Sequence, residues 1–276
     1  MRDSMPRVLV APAALGGGLR APVAAAAIGR GLERAGVAPP DLCPLAGGGR
    51  GTIEVLLPAL GGETADGFAL IDNGGTAIVE LGPDGRTTGG FVAAAVDAGA
   101  EVVLVAAGGS GYEFDGGDGV AEAIEEAGGL RGAALVVLCE TRAAWAGPAG
   151  AMRRDPRGVA MTAAGGGIAG ALWARYDALL VAGPAFVLEQ LGFDVRMRAA
   201  RAVIVGERRL DRETLAGRVA CEAAIRARQA GVPCHAVVAR NALAPFDVRI
   251  LDLQAIVEAT TIAELEAAGE RLAAYL

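Results

Sequence analysis

Lysine is absent: all 25 basic residues of this 276-residue chain are arginine. A Walker A loop needs a lysine after its second glycine, so the chain holds no P-loop. Histidine occurs only as His235, and the four cysteines, Cys43, Cys139, Cys221 and Cys234, form no C-x-x-C pair. A Cys/His zinc site therefore lacks its ligands, and the cysteines read as reduced, buried and cytosolic. Basic excess is missing too. With a net charge of −7 the chain has no electrostatic footprint for nucleic acid, although a local arginine cluster can still hold a small anion.

Long apolar runs are also lacking. The best candidate, Phe91 to Ala107, is broken by Asp97 and Glu101 and falls short of the roughly 18 uninterrupted apolar residues of a membrane span. Arg2 and Arg7 precede an apolar run in the manner of a signal peptide, but Gly16, Gly17, Gly18 and Arg20 interrupt it. A strand, a turn and a helix start account for it better. There is no Pro- or Ser-rich linker and no internal repeat, so a second domain is expected as an insertion.

What is present is apolar and glycine-rich. Hydrophobic residues make up 53% and charged residues 21%, and the 42 glycines follow no Gly-X-Y period. That composition describes a globular, loop-rich protein rather than a disordered or collagenous one.

Strands and helices alternate along the chain. Val8 to Ala11, Val102 to Ala106, Ala133 to Cys139, Ala202 to Val205 and His235 to Ala239 are apolar without polar alternation, as strands covered on both faces are. Helical patterns at Pro22 to Arg34, Gly51 to Leu60, Gly90 to Asp97, Val120 to Glu126, Thr214 to Gln229 and Ile262 to Leu276 supply the crossovers of a mostly parallel sheet. Phe68 to Ile71 and Thr76 to Leu81 flank Asp72-Asn73-Gly74-Gly75, a hairpin signal that places antiparallel structure inside this α/β frame.

Three glycine-rich loops follow strands: Pro12 to Gly18, Ala46 to Thr52, and Gly108-Gly109-Ser110-Gly111 continuing to Asp115-Gly116-Gly117. Such loops let backbone N–H groups approach a phosphate, and open α/β sheets place ligands beyond strand C-termini. Each alone is better explained by a structural turn, and it is their shared position at strand ends that strengthens the case for a ligand.

The densest polar cluster runs from Gly206 through Glu207, Arg208, Arg209 and Asp211 to Glu213, Thr214 and Arg218. Carboxylates beyond a strand can hold Mg²⁺ or accept a hydroxyl proton, and arginine can clamp a carboxylate or phosphate. Equally, Asp211 or Thr214 can cap the following helix. Glu140, just past Cys139, is a further candidate at the same rim, with an exposed loop carboxylate as the default reading. Gly165, Gly167 and Gly170 fit G-x-G-x-x-G, but the residues before them make a poor strand, and close helix packing explains the glycines better than a dinucleotide site.

The polar cluster resembles the type I glycerate kinases. Their T-G-E-G-R-L-D and Q-T-L-x-G-K segments are matched at Gly206, Glu207, Arg209, Leu210, Asp211, Thr214 and Gly217, with Val205, Arg208 and Arg218 in place of Thr, Gly and Lys. The motif G-G-S-A-T-N-D-G-G corresponds to residues 108–117, one residue longer and keeping Asp115. A-D-G-G-E-G-T corresponds to Ala46 to Thr52, with Gly47 for Asp and Arg50 for Glu. A-P-D-S-F-K corresponds to Ala11 to Gly16, with Ala13, Ala14 and Gly16 for Asp, Ser and Lys.

The resemblance implies a two-domain α/β architecture, a mostly parallel sheet with helices on both faces. Residues 1–60 and 190–276 would form a discontinuous flavodoxin-like domain and 61–189 an inserted, trimmed mixed α/β domain. It implies a cytoplasmic kinase using MgATP on a small anionic hydroxy acid such as D-glycerate, with homo-oligomers left open. Asp115, Asp211, Glu207 and Arg209 would be catalytic, with Asp115 on the metal. Gly108, Gly109, Ser110, Gly111, Gly116, Gly117 and Thr214 would meet phosphate, and Gly48, Gly49, Arg50, Thr52 and Arg218 the substrate. A noncatalytic binder of a nucleotide or organic acid is the alternative reading, and an NAD-dependent enzyme the third.

Overall fold

The computed structural model describes residues 7–109, 116–147 and 154–276. In chain order the elements are β1 (Val8–Pro12), α1 (Ala21–Arg34), β2 (Asp41–Leu42), α2 (Thr52–Leu60), β3 (Glu63–Thr64), β4 (Phe68–Ile71), β5 (Thr76–Glu80), α3 (Gly85–Asp97), β6 (Val102–Gly108), α4 (Asp118–Glu126) and β7 (Ala134–Cys139). There follow α5 (Ile168–Tyr176), β8 (Leu179–Ala182), α6 (Gly183–Gln190), α7 (Phe193–Arg198), β9 (Ala202–Leu210), α8 (Arg212–Leu215), α9 (Val219–Gln229), β10 (Cys234–Asn241), α10 (Pro245–Leu251), β11 (Leu253–Glu258) and α11 (Ile262–Leu272). The fold is mixed α/β with mostly parallel sheets flanked by helices.

The chain divides into two compact units, residues 1–46 with 188–276, and residues 47–187. The first holds a parallel sheet in the order β11-β10-β9-β1-β2. Successive side chains on a strand point to opposite faces, and both faces are covered. Leu9, Val203, Val205, Ala236 and Val238 pack with residues of α7 and α9. Val8, Val10, Ile204 and Val237 pack with residues of α1 and α11. Apolar runs without alternation are the sequence signature of that arrangement.

The second unit holds a sheet in the order β3-β4-β5-β6-β7-β8. From β5 onward the pairing is parallel, while β3, β4 and β5 are antiparallel. The expected hairpin is present: Asp72, Asn73 and Gly74, at φ +51°, +56° and +91°, make the left-handed turn between β4 and β5. Val79, Val103, Val105 and Val137 pack with α3, α4 and α5. The first boundary between units falls at 46/47 rather than near 61, because α2 packs on β4 and β5.

Two further expectations need correction. The strand expected to end at Val205 continues through Gly206–Leu210, because β10 pairs with it as far as Asn241↔Leu210. The single helix expected over 214–229 is two, separated at Gly217, whose φ of +110° no helix accommodates. The four cysteines are buried and free. Burial pushes the Cys43 and Cys221 thiols up to about 11 and those of Cys139 and Cys234 up to about 12. No helix among the described residues is long and apolar enough to cross a membrane.

Candidate functional site

In the first unit β1 and β9 lie side by side, but their connections leave in opposite directions, β1 through α1 to β2 and β9 through α9 to β10. Where strand order reverses in this way, an open α/β sheet leaves a crevice beyond the strand C-termini. Residues 13–20 follow the C-terminal end of β1 at this switch point. The Ala13 N–H donates to the Gly206 carbonyl at 2.8 Å, and the Leu19 N–H to that of Gly16 at 2.9 Å. Buried Leu15 and Leu19 anchor the loop. Between them Gly16, Gly17 and Gly18 are left-handed, at φ +82°, +58° and +84°, a conformation that glycine adopts without steric cost. The Gly17 and Gly18 amides donate to no protein acceptor among the described residues.

Facing this loop, the end of β9 carries the polar cluster. Glu207 is 6% exposed, and its Oε1 accepts from Arg218 Nη1 at 3.1 Å, while Arg218 Nη2 donates to Glu213. Arg218, expected to hold substrate, is thus held between two carboxylates. Arg209 Nε lies 3.0 Å from Asp211 Oδ2. Asp211 caps α8, its Oδ1 accepting from the Glu213 and Thr214 N–H groups at 2.9 and 3.3 Å. Thr214 Oγ1 accepts from the Asp211 N–H and donates to the Arg209 carbonyl, both at 3.1 Å. Thr214, expected at phosphate, is fully buried with its hydroxyl committed to this capping box. The structure therefore gathers Glu207, Arg209, Asp211, Thr214 and Arg218, and gives Asp211 and Thr214 the capping role.

The second unit gathers a different set. The Gly108 N–H donates to the Gly48 carbonyl at 2.9 Å, and the Gly108 carbonyl accepts from the Glu140 N–H at 2.8 Å. The ends of β6 and β7 are thereby tied to the loop before α2. Thr52, expected at the substrate, is fully buried, and its hydroxyl donates to the Gly49 carbonyl. Gly48 is required by packing: it is left-handed at φ +86°, and a Cβ would lie 2.7 Å from the Gly183 Cα. Gly109 accepts from the Gly165 N–H at 2.9 Å. Gly117 heads α4 where a Cβ would lie 2.6 Å from that of Ala171, and Gly116 lies against the Trp145 ring. Arg50 is exposed. Ser110, Gly111 and Asp115 lie outside the described residues, and with Asp115 the expected metal ligand.

The G-x-G-x-x-G stretch does not have the strand–turn–helix setting of a dinucleotide site. Residues 154–163 are turns and bends, and Gly165, Gly166 and Gly167 are left-handed before α5. Among the described residues no group of three or more His, Cys, Asp or Glu could hold a metal ion.

A model of the glycerate kinase family matches residues 8–81 and 130–275. A glycerate kinase of Neisseria meningitidis serogroup B is 45% identical over 74 residues, 27% of this chain and 20% of that protein. The match thus spans about a fifth of the curated relative's length. Among solved structures, one described as a glycerate kinase 2 from Salmonella typhimurium LT2 aligns with a TM-score of 0.71 over 98% of this chain and 97% of that one. At 20% identity that likeness is one of fold.

Proposed function

The chain belongs to the glycerate kinase family, and from that premise we propose that it transfers a phosphoryl group from MgATP to the hydroxyl of a small hydroxy acid such as D-glycerate. The observation that carries the reading is the family match over most of both units, together with the strand-order switch point between β1 and β9, where open α/β sheets place ligands. Phosphoryl transfer rests on positioned donors and cations that neutralise spreading charge. The unengaged amides of Gly17 and Gly18 suit an anion for that reason. In the second unit we assign phosphate contact to Gly109, Ser110, Gly111 and Gly116, the metal to Asp115, and substrate contact to Gly49 and Arg50; in the first unit we assign anion contact to Arg209. A cytoplasmic setting suits the four unpaired cysteines.

A second reading, a noncatalytic member that binds a nucleotide or organic acid, is favoured by one observation: residues 12–18 bear no charged side chain. Calorimetric titration with MgATP, MgADP, D-glycerate and NAD in parallel tests both. Binding of nucleotide and D-glycerate supports phosphotransfer, and nucleotide binding without any turnover supports the second reading. NAD binding alone would sink both.

A further inference from the structure

Two glycines of the candidate loops stand where charged groups from other strands have moved in. A Cβ on Gly16 would fall 2.7 Å from Cδ and 3.2 Å from Cγ of Arg208. The arginine stem therefore crosses the β1 loop in the volume that a side chain at 16 would need. A Cβ on Gly47 would fall 2.0 Å from Oε1 and 2.1 Å from Cδ of Glu140, so the Glu140 carboxylate itself fills the side-chain place at 47. The motifs described above write Lys and Asp at these two positions and Gly at 208.

We infer that Arg208 and Glu140 supply, from the ends of β9 and β7, the cation and the carboxylate that positions 16 and 47 no longer carry. Arg208 holds an anionic group of the ligand at the β1 loop, and Glu140 accepts a hydrogen bond from a substrate hydroxyl at the loop before α2. The inference deepens the phosphotransfer reading and rests on it for the identity of the ligands.

Three physical points support it. Gly16 at φ +82° admits no lysine without strain, so a cation for this loop has to arrive from elsewhere. The Arg208 side chain is exposed and makes no hydrogen bond or ion pair among the described residues, unlike those of Arg209 and Arg218, which are paired with carboxylates. Guanidinium in that state can take a carboxylate or phosphate bidentately. On the other side, Glu140 is fixed through its backbone N–H to Gly108, which sets its side chain at Gly47 as part of the strand-end framework.

The test measures dissociation constants for D-glycerate and MgADP by calorimetry in the full chain. Arg208→Gln should weaken one ligand at least about tenfold, and Arg208→Lys less. Loss confined to D-glycerate identifies the anion as the carboxylate, and loss confined to MgADP identifies it as a phosphoryl group. Glu140→Gln should weaken D-glycerate by a similar factor. Gly47→Asp combined with Glu140→Gly should recover most of that loss, whereas Gly47→Asp alone should not bind normally. Unchanged constants in Arg208→Gln and Glu140→Gln, with melting temperatures held, would overturn the inference, as would a wild-type chain that binds neither ligand. If the paired variant does not fold, Glu140→Gln decides. A wild-type chain that binds both ligands without transferring phosphate refutes the phosphotransfer reading while the binding assignments stand.

Discussion

Arg218 Nη1 lies 3.1 Å from Glu207 Oε1, with the two side chains 32% and 8% exposed. The pair joins the end of β9 to the N-cap residue of α9, so two groups whose types suggest substrate contact neutralise each other within the first unit. Such a pair adds little net stability over an apolar replacement, yet breaking it leaves a buried charge without its partner.

We predict that Arg218→Ala costs about 2 kcal/mol of stability, the scale for a charge-assisted hydrogen bond to a buried carboxylate. Glu213→Ala, which removes only the exposed partner, should cost well under half of that. Urea unfolding of both variants gives the comparison. Equal losses would show that the Glu207 contact is not what holds Arg218.

Helices α1 and α11 approach so closely that a Cβ on Gly31 would lie 1.9 Å from the Glu266 carbonyl oxygen. Gly31→Ala should therefore force the pair apart and destabilise by about 2 kcal/mol or more. Gly90, inside α3, has nothing within 4 Å of its would-be Cβ, so Gly90→Ala should stabilise by about 0.5–1 kcal/mol. Thermal melts of the two variants should move in opposite directions.

His235 is 1% exposed, and neither ring nitrogen makes a hydrogen bond among the described residues. Burial holds its imidazole below the ordinary value of 6.5. As pH falls below about 6.5 the unfolded chain takes up the proton before the folded one, so stability present above that pH drains away as pH approaches the lowered folded value. Melting temperatures from pH 7.5 down to 5 should fall more steeply for the wild type than for His235→Leu. Parallel curves would mean that the ring is protonated in the fold as readily as in the unfolded chain.

Elements with a strong local signature were legible in the sequence. The run from Val102, the run before Cys139 and the Asp72-Asn73-Gly74-Gly75 turn all took the predicted form. The extension of β9 through Glu207, Arg208 and Arg209 was not legible, because pairing with β10 rather than residue preference keeps those charged residues in a strand. The edge strand β11, Leu-Gln-Ala-Ile-Val-Glu, is half exposed and carries polar residues that hide its period. Within the site, the three-residue spacing of Asp211 and Thr214 could be read as a cap, and it is one. The meetings of Gly16 with Arg208 and of Gly47 with Glu140 had only one sequence signal, glycine at positions where the related motifs carry charge. Which residue fills such a place is set by the sheets, one bringing β1 beside β9 and the other β6 beside β7.

The most direct measurement of the central claim is ADP release by the unmodified chain with MgATP, coupled to a spectrophotometric readout, with and without D-glycerate. The account predicts release that depends on the hydroxy acid and saturates with it. A folded chain that releases ADP at the same rate with and without D-glycerate, across a panel of small hydroxy acids, would contradict it.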